Sequence, residues 1–153
     1  MSSAPATLDH AGIAARIPHS GPMCLLDAML SWRDDQIICR AVNHADPTHP
    51  LRLGDVLPSA SALEYASQAM ALHGALCAAA DTPTPGFVAS ARALHLPVQR
   101  LDDAPGPLSV RAQRLTGNAS QAIYTFELRD RDDRLLADGR ATVVFGQTLV
   151  AAR

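Results

Sequence analysis

The stretch from Leu57 to Gly74 reads LPSASALEYASQAMALHG, and it carries one carboxylate, Glu64, near its start. Ala62, Leu63, Ala66, Ala69, Met70, Ala71 and Ala75 give it a broad apolar surface, so the spacing predicts a buried helix from about Ser59 to Ala79. A carboxylate in the first turns of a buried helix needs a partner, because charged groups are rarely buried alone. Three histidines lie upstream, His19, His44 and His49, and any of them could supply it. A His and a Glu in a dry groove are suited to moving protons.

Outward from that helix the pattern changes to strands. Residues 8–16 predict a short helix that stops before Pro18. Met23 to Trp32 reads as a strand, Arg33-Asp34-Asp35 as a turn, and Gln36 to Val42 as the hairpin partner. Asn43 to Val56, with Pro47, Pro50 and Gly54, reads as a loop. After the breaker from Asp81 to Gly86, strands are expected over Phe87–Val98, Leu108–Leu115, Gln121–Arg129 and Leu135–Phe145. Six strands and one uniformly apolar helix predict an α+β fold, an antiparallel sheet wrapped around that helix. Small alanine side chains let the sheet close tightly on it.

Composition narrows the function. At 153 residues the chain suits a single domain over 1–153, with residues 1–12 as an N-terminal tail. A net charge of −2 with interspersed signs gives no basic patch for nucleic acid and no polybasic segment for a membrane surface. No run is long and uncharged enough to insert in a membrane, and the N-terminus lacks a secretory pattern, so cytoplasm is the expected compartment. All thirteen basic residues are Arg, which excludes lysine chemistry. Cys24, Cys39 and Cys77 have no metal-ligand spacing and read as buried, unreactive thiols. No metal is expected.

The segments IPHSGPMCLLDAML (Ile17 to Leu30) and LPSASALEYASQAM (Leu57 to Met70) carry a resemblance. In this order they resemble the hot-dog-fold 3-hydroxyacyl-acyl-carrier-protein dehydratases, and within them the dehydratase-like branch of bacterial aryl-polyene and related pigment pathways. The resemblance covers about residues 13 to 146. It is most specific at Pro18-His19, at Pro22 to Asp27, and at Leu63-Glu64 with Gln68 and Met70. It implies a hot-dog fold and a dimer, expected as a homodimer with a heterodimer open, in which a His of one subunit faces the helix Glu of the other. It also implies an acyl carrier protein as partner and no cofactor.

Glu64 takes the family's carboxylate position. His49 stands near the family's catalytic His, yet Pro50-Leu51-Arg52 follows it, and Ser59 replaces the glycine that usually follows the proline. His19 lies in the best-matched segment and ranks beside His49, with His44 third.

Eliminating water from a 3-hydroxyacyl thioester to give a trans-2-enoyl product needs a base at C2 and an acid for the departing hydroxyl. A neutral His is suited to the first and a Glu kept protonated by burial to the second, although the roles could be reversed. Backbone N–H groups at the helix start, around Ser59 to Ala62 and with Ser59 and Ala60 foremost, are candidate donors for the enolate-like oxygen. Gln68, one turn beyond Glu64, faces the same side, either to orient it or to satisfy a buried contact. Met23, with Leu25 and Met70, is a candidate for the acyl tunnel wall. Plainer readings stand beside these: Ser61-x-x-Glu64 fits a capping box, His19 and His49 could be hydrogen-bonded loop residues, and the three apolar side chains could be core. His73 reads as a helix-surface residue and Arg52 as a solvated loop residue. Two rival functions remain open, a thioesterase on the same fold and a non-catalytic acyl-binding partner of an active dehydratase.

Overall fold

The computed structural model describes residues 4–78 and 86–145. In chain order these form β1 (Leu8–Asp9), α1 (His10–Ala14), β2 (Ala28–Arg33), β3 (Gln36–Ala41), α2 (Ala62–Ala78), β4 (Gly86–His95), β5 (Leu108–Gly117), β6 (Gln121–Arg129) and β7 (Leu135–Phe145). All seven strands join one antiparallel sheet in the order β1-β2-β3-β5-β6-β7-β4. The sheet curls around α2, which packs against β3, β5, β6, β7 and β4. This is the expected α+β hot-dog architecture.

Alternation drives the wrap. Along β6, Ala122, Tyr124, Phe126 and Leu128 are buried while the residues between them are half-buried. They meet Ala62, Ala66, Ala69, Met70 and Leu72 of α2 in one core. Ten of the seventeen residues of α2 are buried, so the helix has no solvent face over most of its length.

The strand and helix boundaries differ from expectation at several places, each with a local reason. Residues 8–16 hold a two-residue strand before a five-residue helix capped by Asp9, whose side chain accepts from the Gly12 N–H. The apolar run Met23 to Asp27 is not strand: a 3-10 turn over Gly21–Met23 leads into it, and β2 begins only at Ala28. β4 stops at His95, ahead of Pro97, which has no N–H for a ladder. The central helix opens with a 3-10 turn, Ser59–Ser61, before α2 proper, and Ala79 and the Asp81-to-Gly86 breaker lie outside the described residues except for Gly86.

Among the described residues no helix is long and apolar enough to cross a membrane. Cys24 and Cys39 are buried as expected, and burial pushes the Cys39 thiol up to about 12. Cys77 is exposed, which corrects the expectation for that residue.

Candidate active site

Gln68 is the residue that assembles the site. Fully buried on α2, its Oε1 accepts from the Leu25 N–H at 2.8 Å, and its Nε2 donates to the Met23 carbonyl at 2.7 Å. One side-chain amide thereby takes the place of a sheet ladder for the loop between α1 and β2. The same Nε2 lies 3.2 Å from Glu64 Oε1, one helical turn back. That loop carries His19, and stitching it to α2 brings His19 Nε2 to 3.1 Å from Glu64 Oε1. Gln68 thus serves both roles left open for it.

His19 and Glu64 belong to the same chain here, where the resemblance implied a pair across two subunits. Their side chains keep 21% and 33% of their exposure, so the pair is half-buried and reachable. The hydrogen bond from His19 holds the Glu64 carboxyl below its ordinary range, with Gln68 helping, and this outweighs the opposite effect of burial. The expectation that burial keeps Glu64 protonated is therefore overturned. Since an ionised carboxylate only accepts, Nε2 of His19 carries the hydrogen of their contact. His19 Nδ1 is buried with no hydrogen-bond partner.

The pair opens into a cavity of about 230 Å³, walled by Leu63, Ser67 and Ala71 of α2, Phe87 and Val88 of β4, and Val143 of β7. Two polar groups at an apolar pocket are the arrangement ligand sites favour. A larger, open depression of about 550 Å³ lies among Arg92, Arg111 and Arg140, but it contains neither His19 nor Glu64.

The other sequence candidates go elsewhere. His49 is 5% exposed; its Nδ1 accepts from the Leu51 N–H, and its Nε2 meets the Tyr65 hydroxyl at 2.9 Å, which donates onward to Asn43 Oδ1. Its two ring nitrogens are thus both engaged, one within the loop and one by Tyr65 of α2, and the structure does not bring it to Glu64 as it does His19. His44 is bonded to the Ala104 carbonyl. The backbone donors expected at Ser59 and Ala60 are not a free set: the Ser59 N–H reaches Gln99 O, Ser61 N–H reaches Pro58 O, and Ala62 N–H reaches Ser59 O. Ala60 itself is exposed. Nor does a capping box form, because Glu64 turns to His19 and Gln68 instead.

Met23 gives its carbonyl to Gln68 and does not line the cavity beside His19 and Glu64, and Leu25 and Met70 are buried in the core. His73 is fully buried, bonded to the Tyr124 hydroxyl and the Arg33 carbonyl, and burial lowers its pKa. Arg52 is largely buried beside Asp102. Sequence reading missed Ser67, Phe87 and Val88. Only Ser67 left a trace, three residues beyond Glu64 on the same helix face. Among the described residues no cluster of His, Cys, Asp or Glu has an arrangement that could hold a metal.

Comparison with known structures agrees with this fold. The chain superposes on a chain of the dehydratase heterocomplex ApeI:P from Xenorhabdus doucetiae with a TM-score of 0.78 at 19% identity, covering 89% of this chain and 91% of that one. Thioesterase HI1161 from Haemophilus influenzae superposes at 0.57 with 14% identity, over 82% and 81% of the two chains. A hypothetical thioesterase from Streptococcus pneumoniae, solved with coenzyme A, gives 0.55 at 13% identity over 78% and 85%. No curated protein matches the chain in sequence. The ApeP dehydratase profile, however, matches residues 11–151, nearly the whole length, and the chain belongs to the ApeP-like dehydratase family.

Proposed function

We propose that this chain removes water from 3-hydroxyacyl thioesters carried on acyl carrier protein, giving trans-2-enoyl thioesters in an aryl-polyene pathway in the cytoplasm. The observation that carries this reading is the His19–Glu64 contact at the mouth of an apolar cavity, in a member of a dehydratase family. The pair works while it holds one exchangeable proton. Because Glu64 is held ionised, the acid this reaction needs is His19 in its imidazolium form, which becomes neutral on giving up the proton. Glu64 then takes the proton from C2, the C3–O bond breaks, and His19 protonates the departing hydroxide to water. The proton left on Glu64 returns to His19 across their 3.1 Å contact, and the site is reset. Either group lost as a proton carrier costs about 10²–10⁴-fold in kcat.

The likeness to a chain of a dehydratase heterocomplex supports assembly with a second, related subunit rather than with a copy of itself. One observation favours a second reading, a non-catalytic acyl-binding partner: the Ser59 and Ser61 N–H groups at the start of the helix are already occupied. A thioesterase is the weaker rival, since its support is fold alone.

Intact mass spectrometry of 3-hydroxyacyl carrier protein separates these. Loss of one water with wild type, abolished by Glu64→Gln and by His19→Ala but kept by His49→Ala, is the expected result. Release of free carrier thiol means hydrolysis. Substrate that binds unchanged, with and without the second subunit, leaves the partner reading.

A further inference from the structure

A second cavity of about 360 Å³ lies further along α2, walled by Ala71, Gly74, Ala75 and Ala78 together with Tyr124 and Phe145. Ala71 lines this cavity and the site cavity alike. The ring of Phe145 lines the second cavity and reaches the strand that walls the first. Its backbone pairs with Gly86, itself part of the site wall. A Cβ on Gly74 would lie 2.7 Å from Phe145 Cε1, and one on Gly86 would lie 3.1 Å from Cδ1. The ring is seated in a notch that exists because both residues lack side chains. The backbone beneath it is held by the bond from the Phe145 N–H to Ser120 O at 2.8 Å, so a change in the ring's position has to come from its side-chain torsions.

The site cavity by itself falls below the roughly 300–1,000 Å³ that ligand pockets usually occupy. Joined to the second cavity, it would fall within that range. Alanine, glycine and aromatic carbon give the second cavity a side that suits an unbranched apolar chain, while Cys77, Arg114, Asn118 and Ala119 complete its lining.

We propose that Phe145 is a partition that sets how far the substrate's acyl chain reaches: with the ring in its notch the site takes a short chain, and with the ring turned aside a longer chain runs on along α2 into the second cavity. This rests on the acyl-thioester reading of the His19–Glu64 site. Phe145 is therefore a specificity residue, which touches the chain's far end and not the reacting atoms.

The test compares butanoyl, octanoyl and dodecanoyl 3-hydroxy thioesters of pantetheine, measured both as kcat/KM and as Kd by calorimetry. Phe145→Ala should raise the preference for the long over the short chain about tenfold, the scale expected when a few methylenes gain a buried path. Gly74→Val, which crowds the notch, should also change that preference. Phe145→Leu serves if the alanine variant does not fold, with melting curves taken throughout. A length profile that stays unmoved in folded variants overturns the partition. Should wild type dehydrate none of the three, the dehydratase reading fails on its own, and the Kd profile still decides the partition by the same criterion.

Discussion

At the residue scale the site rests on three side chains with unequal roles. In the proposed reaction His19 and Glu64 carry the proton, and Gln68, bonded to Glu64 and to the loop that carries His19, positions both. If Glu64 is the base, Glu64→Gln stops exchange of the C2 hydrogen with heavy water. His19→Ala, which removes the acid, slows water loss while C2 exchange persists. Proton NMR of the thioester in heavy water reads this directly; exchange lost in His19→Ala and kept in Glu64→Gln would reverse the roles. Gln68→Leu leaves the Leu25 N–H and the Met23 carbonyl unpaired in the interior, at a cost of about 2–4 kcal/mol by denaturant unfolding. It also removes a hydrogen bond that favours ionised Glu64, so the acid limb of the kcat/KM profile moves to higher pH. A merely structural role for Gln68 predicts lost stability with that limb in place. Glu64 and Gln68 were visible in the sequence because a buried polar residue on an apolar helix stands out. That His19 rather than His49 lies against Glu64 could not be read there, since it depends on Tyr65 engaging His49 and on Gln68 drawing in the other loop.

At the scale of elements, α2 was legible throughout because alanine recurs on every side of it. That same uniformity hid His73: a helix apolar all round gives no polar face from which to tell inside from outside, and only the sheet's Tyr124 fixes His73 within. The apolar run at Met23–Asp27 was misleading for a related reason. It is buried like a strand, but its polar backbone is satisfied by a side chain from α2 rather than a neighbouring strand. Packing also sets the outcome of a helix substitution. Gly74→Ala gains about 0.5–1 kcal/mol of helix propensity. The added Cβ meets the Phe145 ring, so in wild type the change is destabilising or neutral. In a Phe145→Ala background the same change stabilises, with a coupling of about 1–2 kcal/mol in a double-mutant cycle. Simple additivity in that cycle would show that ring and helix do not touch.

At the scale of the whole molecule, two buried histidines tie stability to pH. Burial lowers the pKa of both His49 and His73 in the folded protein. The unfolded chain therefore takes up more protons below about pH 6.5, so stability is complete above that value and declines as pH falls through the folded pKa values. Melting temperature should drop between about pH 6.5 and 5. The drop should be shallower in His73→Gln than in wild type; identical slopes would assign the acid sensitivity to other groups.

The sheet itself ends at β4, which among the described residues pairs only with β7 and leaves its other edge bare. Gly86, Phe87 and Val88 of this strand also form a wall of the site cavity. A subunit that adds a strand there would stiffen the wall against which the acyl chain lies. Ligand occupancy and subunit association would then be linked equilibria: acyl thioester would tighten the assembly by the same factor by which the assembly tightens its hold on the thioester. Dilution would cost affinity as well as partners.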